Sequence, residues 1–117
     1  VESCVFDKLK KEGVVLGVIS NWDSRLHAIL ESTGLAKHFD FILTSAEVGS
    51  TKPDGKIFAE ALKQSGVMPG NACHIGDEPR ADVHGAETAG MDAILIDRKG
   101  CHEKKSPAIV RSFMELL

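Results

Sequence analysis

His74-Ile75-Gly76-Asp77-Glu78-Pro79-Arg80-Ala81-Asp82 carries two aspartates five positions apart, one straight after an Ile-Gly step and one inside the pattern of a new helix. The apolar run that leads into it, "NACHIGD" from Asn71, reads as a buried strand. The residues after it, "EPRADVHGAETAG", read as a short helix stopped at Gly90. Three further apolar runs stand out: "VVLGVIS" from Val14, "FDFILTS" from Phe39 and "MDAILID" from Met91. They are nearly continuous in apolar residues rather than alternating, the pattern of parallel strands covered on both faces.

Helical patterns separate these runs. "WDSRLHAILESTG" spaces Leu26, Ile29 and Leu30 on one face, offers Asp23 or Ser24 as N-cap and ends at Gly34. "KPDGKIFAEALKQSG" places Pro53 where a first-turn proline is tolerated, aligns Ile57, Phe58, Ala61 and Leu62, and stops at Gly66. An amphipathic stretch, "ESCVFDKLKKEG", precedes the first strand with Val5, Phe6 and Leu9 inward. "SPAIVRSFMELL" reads as a closing helix. A helix followed by four strand-helix units predicts an α/β fold, a doubly wound parallel sheet with right-handed crossovers. The chain, 1–117, is read as a single domain.

Such sheets bind ligands beyond the carboxyl ends of their strands. There the sequence places Ser20 and Asn21 after the first strand, Thr44 and Ser45 after the second with Lys52 a few residues on, and Asp77 after the third with Asp82 in the next helix. A hydroxyl and its neighbouring amide can hold a phosphoryl oxygen, and a lysine supplies a compact positive charge to neutralise it. A loop carboxylate such as Asp77 suits Mg²⁺, which binds one or two carboxylates together with waters and phosphate oxygens. Taken singly, Ser20 reads as a strand end, Asp23 as a helix cap and Lys52 as a solvated loop charge. Asp77 has no capping duty, since Gly76 lets the chain turn and no helix begins until Pro79. Asp82 reads as a partner that orients Asp77 or Lys52, or as a favourable charge at a helix start. His74, inside the third strand, reads as a hydrogen-bonded core histidine.

Composition narrows the partners. With 14 basic and 17 acidic residues interspersed and a net charge of -3, the chain has no basic stripe for nucleic acid and no polybasic membrane patch. No apolar run approaches the roughly 20 residues needed to cross a bilayer, which with the absence of a leader pattern points to the cytoplasm. Three cysteines without a CxxC pair signal neither a disulfide framework nor structural zinc, and Cys73 is read as a small core residue.

With those residues assembled, "VISNWD", "SAEVGSTKPDGKIFAEAL" and "HIGDEPRADVHGAETAGM" resemble three of the four signature motifs of the haloacid dehalogenase superfamily of hydrolases. Order and spacing match from Val14 to about Asp97, and the likeness is greatest to the group of haloacid dehalogenase-like hydrolase domain-containing protein 3. The resemblance implies a Rossmann-like core and a Mg²⁺-dependent phosphohydrolase acting on a small phosphorylated metabolite through an aspartyl-phosphate. It makes Ser20 the phosphoryl-binding hydroxyl with Asn21 beside it, Lys52 the charge that steadies nucleophile and phosphate, and Asp77 the Mg²⁺ ligand. Asp82 matches the second acid of the last motif.

The resemblance also implies a nucleophile and an acid/base in a D-x-D-x-T/V motif on the central strand, and no two aspartates of this chain stand two apart. Asp7 in "CVFDKLK" lacks that second acid and lies in a helical pattern. The chain therefore reads as a partial core, without the family's first motif or its cap domain, and is expected to be inactive alone. The family's strand order leaves a slot between the first and third strands seen here. Left empty and dry, that slot would strand about ten backbone groups at ~1 kcal/mol or more each. The flanking strands close up, or water, the preceding segment of the protein or a second copy fills the slot. A runner-up reading is a non-catalytic interaction module that binds through those strand edges. A receiver-like domain would need an acidic pair where Ser20 stands, and a dinucleotide fold would need a G-x-G-x-x-G that is absent after the first strand.

Overall fold

The computed structural model describes residues 2–96 and 108–110, with side chains described from 5 to 96. Helix α1 (Glu2–Lys11) leads into strand β1 (Gly17–Ser20), followed by α2 (Arg25–Ser32), a 3₁₀ turn at Ala36–His38 and β2 (Phe41–Thr44). A one-turn helix α3 (Ser45–Val48) and the longer α4 (Gly55–Ser65) come next, then β3 (Cys73–Gly76). A π-helical segment, Pro79–His84, runs directly into α5 (Gly85–Thr88), and β4 (Asp92–Ile96) and β5 (Ala108–Val110) complete the described chain. This is the expected Rossmann-like α/β architecture, and the four sequence-predicted strands are all present.

All strand pairs are parallel. β1 pairs with β2 so that Ser20 faces Thr44, β3 pairs with β4 from Cys73↔Asp92 to Gly76↔Leu95, and β4 pairs with β5. The strands fall into two sheets, ordered β1-β2 and β3-β4-β5. Among the described residues β1 and β3 do not pair, so the first way of closing the slot, direct contact of the flanking strands, is not taken.

Helix α4 joins the two halves. Its Ile57 and Phe58 are completely buried, and they share one apolar cluster with Val83, Ala86, Met91, Ala93 and Leu95 from the second half and with partly buried Ile19 from β1. Removing two such side chains from water is worth roughly 1.5–3 kcal/mol each. The i, i+1, i+4 spacing of Ile57, Phe58 and Ala61 supplies this face, as the sequence pattern predicts. The stops at Gly34, Gly66 and Gly90 are as predicted too: these glycines, like Gly13 after α1, take positive φ, where a side chain would be strained.

Several local expectations are corrected. Pro53 precedes α4 rather than opening it; Asp54 is the N-cap, its side chain accepting the Lys56 N–H, and a cis peptide bond joins Lys52 to Pro53. Ser24 occupies the N-cap of α2 without a side-chain bond, while Asp23 accepts the Arg25 N–H at 3.0 Å, so the carboxylate performs the capping. Of the α2 stripe only Leu30 is buried, and Ile29 is 44% exposed. Cys73 is exposed rather than in the core, because it is the first residue of β3 and is paired with exposed Asp92. Ala108–Val110, inside the stretch read as a closing helix, forms the fifth strand. The rest of that stretch lies outside the described residues.

Candidate functional site

Ser20 and Asn21 leave the carboxyl end of β1, and Asn21 turns at once toward the segment that precedes α4. Its Oδ1 accepts the Lys52 N–H at 2.8 Å and its Nδ2 donates to the Lys52 carbonyl at 3.2 Å. This two-point clamp fixes the backbone of a residue 31 positions away. The chain after Asn21 is held as well, because the Trp22 carbonyl accepts the Ala46 N–H and the Ser45 hydroxyl. A carboxamide, with one acceptor and one donor in a single plane, is the side chain that can make such a clamp.

With its backbone fixed, Lys52 sends its ammonium inward. Nζ donates to the Ile19 carbonyl of β1 at 3.1 Å and to Asp82 Oδ1 at 2.5 Å. Lys52 therefore spans from the β1-β2 half to the β3-β4-β5 half, beside the unpaired edges. The Lys52 and Asp82 side chains are only 11% and 5% exposed, so solvent does little to weaken their attraction.

The π-helical segment explains how Asp82 comes to point inward. Both the Asp82 N–H and the Val83 N–H bond to the Glu78 carbonyl, a widened turn. Asp82 lies in that turn, buried against β3, and Gly76 makes room for it. A Cβ on Gly76 would collide with the Asp82 carboxyl. Gly76 does not take positive φ, so the glycine serves close approach rather than the sharp turn its position in the sequence implied.

Asp82 Oδ1 also faces His74 Nε2 at 2.9 Å, and Oδ2 accepts the Glu78 N–H at 3.1 Å. Burial alone would push this carboxyl up, but hydrogen bonds from His74 and Lys52, the Lys52 charge and the Glu78 N–H hold it well below the ordinary carboxylate range. Asp82 is therefore an anion in the folded protein. The sequence left open whether Asp82 would meet Asp77, meet Lys52 or only favour the helix start; its side-chain bonds are to Lys52, His74 and the Glu78 N–H.

Asp77 follows β3 directly and is exposed. Its carboxylate has no hydrogen-bond or ion-pair partner among the described residues. The described residues contain no group of three or more His, Cys, Asp or Glu side chains able to hold a metal ion. One free hard-oxygen donor on a strand-end loop fits Mg²⁺, which keeps most of its waters, and does not fit zinc, which takes three or four protein ligands.

The sequence-predicted residues thus gather in one place. Ser20 adjoins the Ile19 carbonyl that takes Lys52, Asn21 clamps Lys52, Lys52 meets Asp82, and Asp82 packs on Gly76 next to Asp77. What sequence reasoning left out of the site is His74, read as a core histidine and indeed only 10% exposed. The two lie eight residues apart across a strand end and an irregular turn, so no single helix or strand period brings them together. A cavity of about 430 Å³ lies elsewhere, lined by Ile42, Leu43, Glu47, Val48, Lys56, Glu60 and Gln64. None of the candidate site residues is among its lining. Among the described residues no helix is long and apolar enough to cross a membrane.

Comparison with known proteins is consistent across sequence and structure. Residues 3–96 match the family described as haloacid dehalogenase-like hydrolase. The chain is 47% identical over 87 residues to haloacid dehalogenase-like hydrolase domain-containing protein 3 of Mus musculus, covering 74% of this chain and 35% of that protein. It is 41% identical over 90 residues to a phosphoserine phosphatase of Thermus thermophilus, covering 76% of this chain and 36% of that one. A crystal structure of a HAD phosphatase from Thermococcus onnurineus superposes with a TM-score of 0.89 at 32% identity, covering 97% of this chain and 53% of that one. The chain thus spans about a third of the length of these curated relatives.

Proposed function

The chain belongs to the haloacid dehalogenase-like hydrolase family, and on that premise we propose that it is the phosphate-site part of a Mg²⁺-dependent phosphohydrolase acting on a small phosphorylated metabolite. The observation that carries this reading is the Lys52 ammonium, fixed by Asn21 at one end and by Asp82 and Ile19 at the other. An ammonium has three donors. Two are used within the protein, by the Ile19 carbonyl and Asp82, and the third is left for an anionic oxygen at the end of β1, where Ser20 stands. Ser20 and Asn21 bind the phosphoryl group, Lys52 neutralises it, and Asp82 keeps Lys52 in place.

Mg²⁺ bound at Asp77 would supply charge neutralisation of the phosphoryl oxygens. The reaction proceeds through an aspartyl-phosphate whose nucleophile is not among this chain's residues, so the chain alone has negligible turnover. Interspersed charge and the lack of a disulfide framework support a cytoplasmic location, with neither nucleic acid nor membrane as partner. A relative named as a phosphoserine phosphatase supports the phosphate-ester class without fixing the substrate.

Among the described residues the facing edges of β1 and β3 are unpaired, which favours a second element of the reading, that an extended segment seats between them. The preceding segment of the protein is the favoured occupant, and a second copy of this chain is the other. The alternative function, a non-catalytic module that keeps the phosphate-site loops but has lost the nucleophile and binds a partner through those edges, shares this feature.

Thermal stability with Mg²⁺ and orthovanadate tests the phosphate site. The phosphatase reading expects the wild-type chain to be stabilised and Asp77→Ala to lose the Mg²⁺-dependent part. Equal responses from both proteins would remove Asp77 as the metal ligand, and no response from either would count against the phosphate site.

A further inference from the structure

Asp82 is contacted by donors from three directions, and two of them share one oxygen. Lys52 Nζ and His74 Nε2 both meet Oδ1, at 2.5 and 2.9 Å, while the Glu78 N–H takes Oδ2. A carboxylate only accepts, so an Nε2 at this distance from one must carry the proton. The imidazole is also held from another side: its ring stands edge-on to Phe58, centroids 5.2 Å apart and planes at 87°. Phe58 is completely buried in α4, so the histidine is wedged between a rigid wall and the carboxylate.

We infer that His74 is a positioning residue, which as an Nε2–H donor to Asp82 Oδ1 holds that carboxylate in the orientation that aims the Lys52 ammonium at the ends of β1 and β3. Asp82 leaves the π-helical turn with its side chain free to rotate about two bonds, and Lys52 has four. The Glu78 N–H fixes one oxygen, and His74 fixes the other. Without His74 a single flexible ammonium would have to orient the group that is meant to orient it. His74 also keeps Oδ1 hydrogen-bonded when Lys52 leans toward an incoming anion, so that the buried carboxylate is never left bare. This role deepens the phosphoryl role proposed for Lys52, while the geometry of the His74–Asp82 contact stands apart from it.

Nuclear magnetic resonance of the ¹⁵N-labelled chain tests it through two readouts, the protonation of His74 Nε2 and the hydrogen-exchange lifetime of the Lys52 ammonium. The wild type is expected to carry a proton on Nε2 and to show a protected ammonium. His74→Leu, which keeps the bulk and removes the donor, should speed exchange by about tenfold or more after correction for global stability, the factor expected for one charged hydrogen bond. His74→Gln, whose amide N–H can reach close to the position of Nε2, should restore most of the protection.

A histidine that merely filled space would give Leu and Gln variants alike. An Nε2 without a proton, or exchange in His74→Leu equal to wild type, overturns the inference. If His74→Leu does not fold, the wild-type Nε2 signal and the Gln variant still decide it. Titration with inorganic phosphate keeps the two readings apart. Exchange that responds to His74 but not to phosphate upholds the positioning role and removes the phosphoryl role of Lys52.

Discussion

Two lysine-aspartate pairs in this molecule have the same N···O separation, 2.5 Å, and very different surroundings. Lys10–Asp40 joins α1 to the turn before β2 with side chains 36% and 41% exposed, whereas Lys52–Asp82 is 11% and 5% exposed. Each carboxylate takes a backbone N–H as well, from Leu16 and from Glu78. Coulomb's law at equal distance would rank them equal. The surroundings separate them, since water weakens the first pair and the second stands in a protein interior with a third partner, His74. Geometry alone therefore does not reveal which ion pair organises a site; burial and the number of converging donors do.

Breaking the buried pair should have the largest effect. Asp82→Asn leaves the Lys52 ammonium buried without a counter-charge, and denaturant unfolding should show a loss of about 3–5 kcal/mol. If the loss were as small as that of a surface pair, the contrast between the two would fail. The same carboxylate should report on acid. Its folded pKa lies below the unfolded value of about 3.9, so its contribution to stability is fully present above that pH and is lost as pH falls below it. Stability measured from about pH 5 downward should therefore fall less steeply once Asp82 is replaced.

A smaller effect is expected at Gly85, where α5 begins. A Cβ there would come within 2.7 Å of the Phe58 ring and 3.0 Å of the Pro53 Cα. Gly85→Ala should cost about 1–3 kcal/mol through overpacking, and thermal unfolding would register it. Replacing the exposed partner should do least. Asp40→Asn keeps an acceptor for the Leu16 N–H, loses only a screened charge, and should change stability by about 1 kcal/mol or less. Raising the salt concentration should shrink that difference and leave the Asp82→Asn difference in place.

How much of this structure was legible in the sequence depends on which forces act locally. The four apolar strands and the α4 face were legible because burial imposes a period on neighbouring residues, and the helix stops because positive φ selects glycine. Ser20, Asn21, Lys52, Asp77 and Asp82 were legible as a strand-end set because parallel sheets place all such ends on one side. The His74–Asp82 contact was not legible, since it depends on a π-helical turn that no periodicity announces. Gly76 was noticed for the wrong reason: its missing side chain admits a carboxylate, which is a tertiary fact. Ile29 and Cys73 look apolar in the sequence and lie at the surface, because a face or a strand end is buried only where something packs on it. β1 shows the same lesson. Its residues read as a strand covered on both faces, yet none of its four residues is fully buried, and among the described residues it pairs along one edge only.

Ser20, Asn21, Lys52 and Asp77 form a rim proposed to hold a phosphate ester with Mg²⁺ and not, by itself, to cleave it. Phosphorus-31 spectra of p-nitrophenyl phosphate, recorded with the purified chain and Mg²⁺, read both halves of that statement at once. The predicted result is an ester resonance broadened by binding, relieved in Lys52→Ala, with no growth of inorganic phosphate. Steady conversion of the ester line into a phosphate line by the wild-type chain, or an ester line indifferent to the protein, would contradict it.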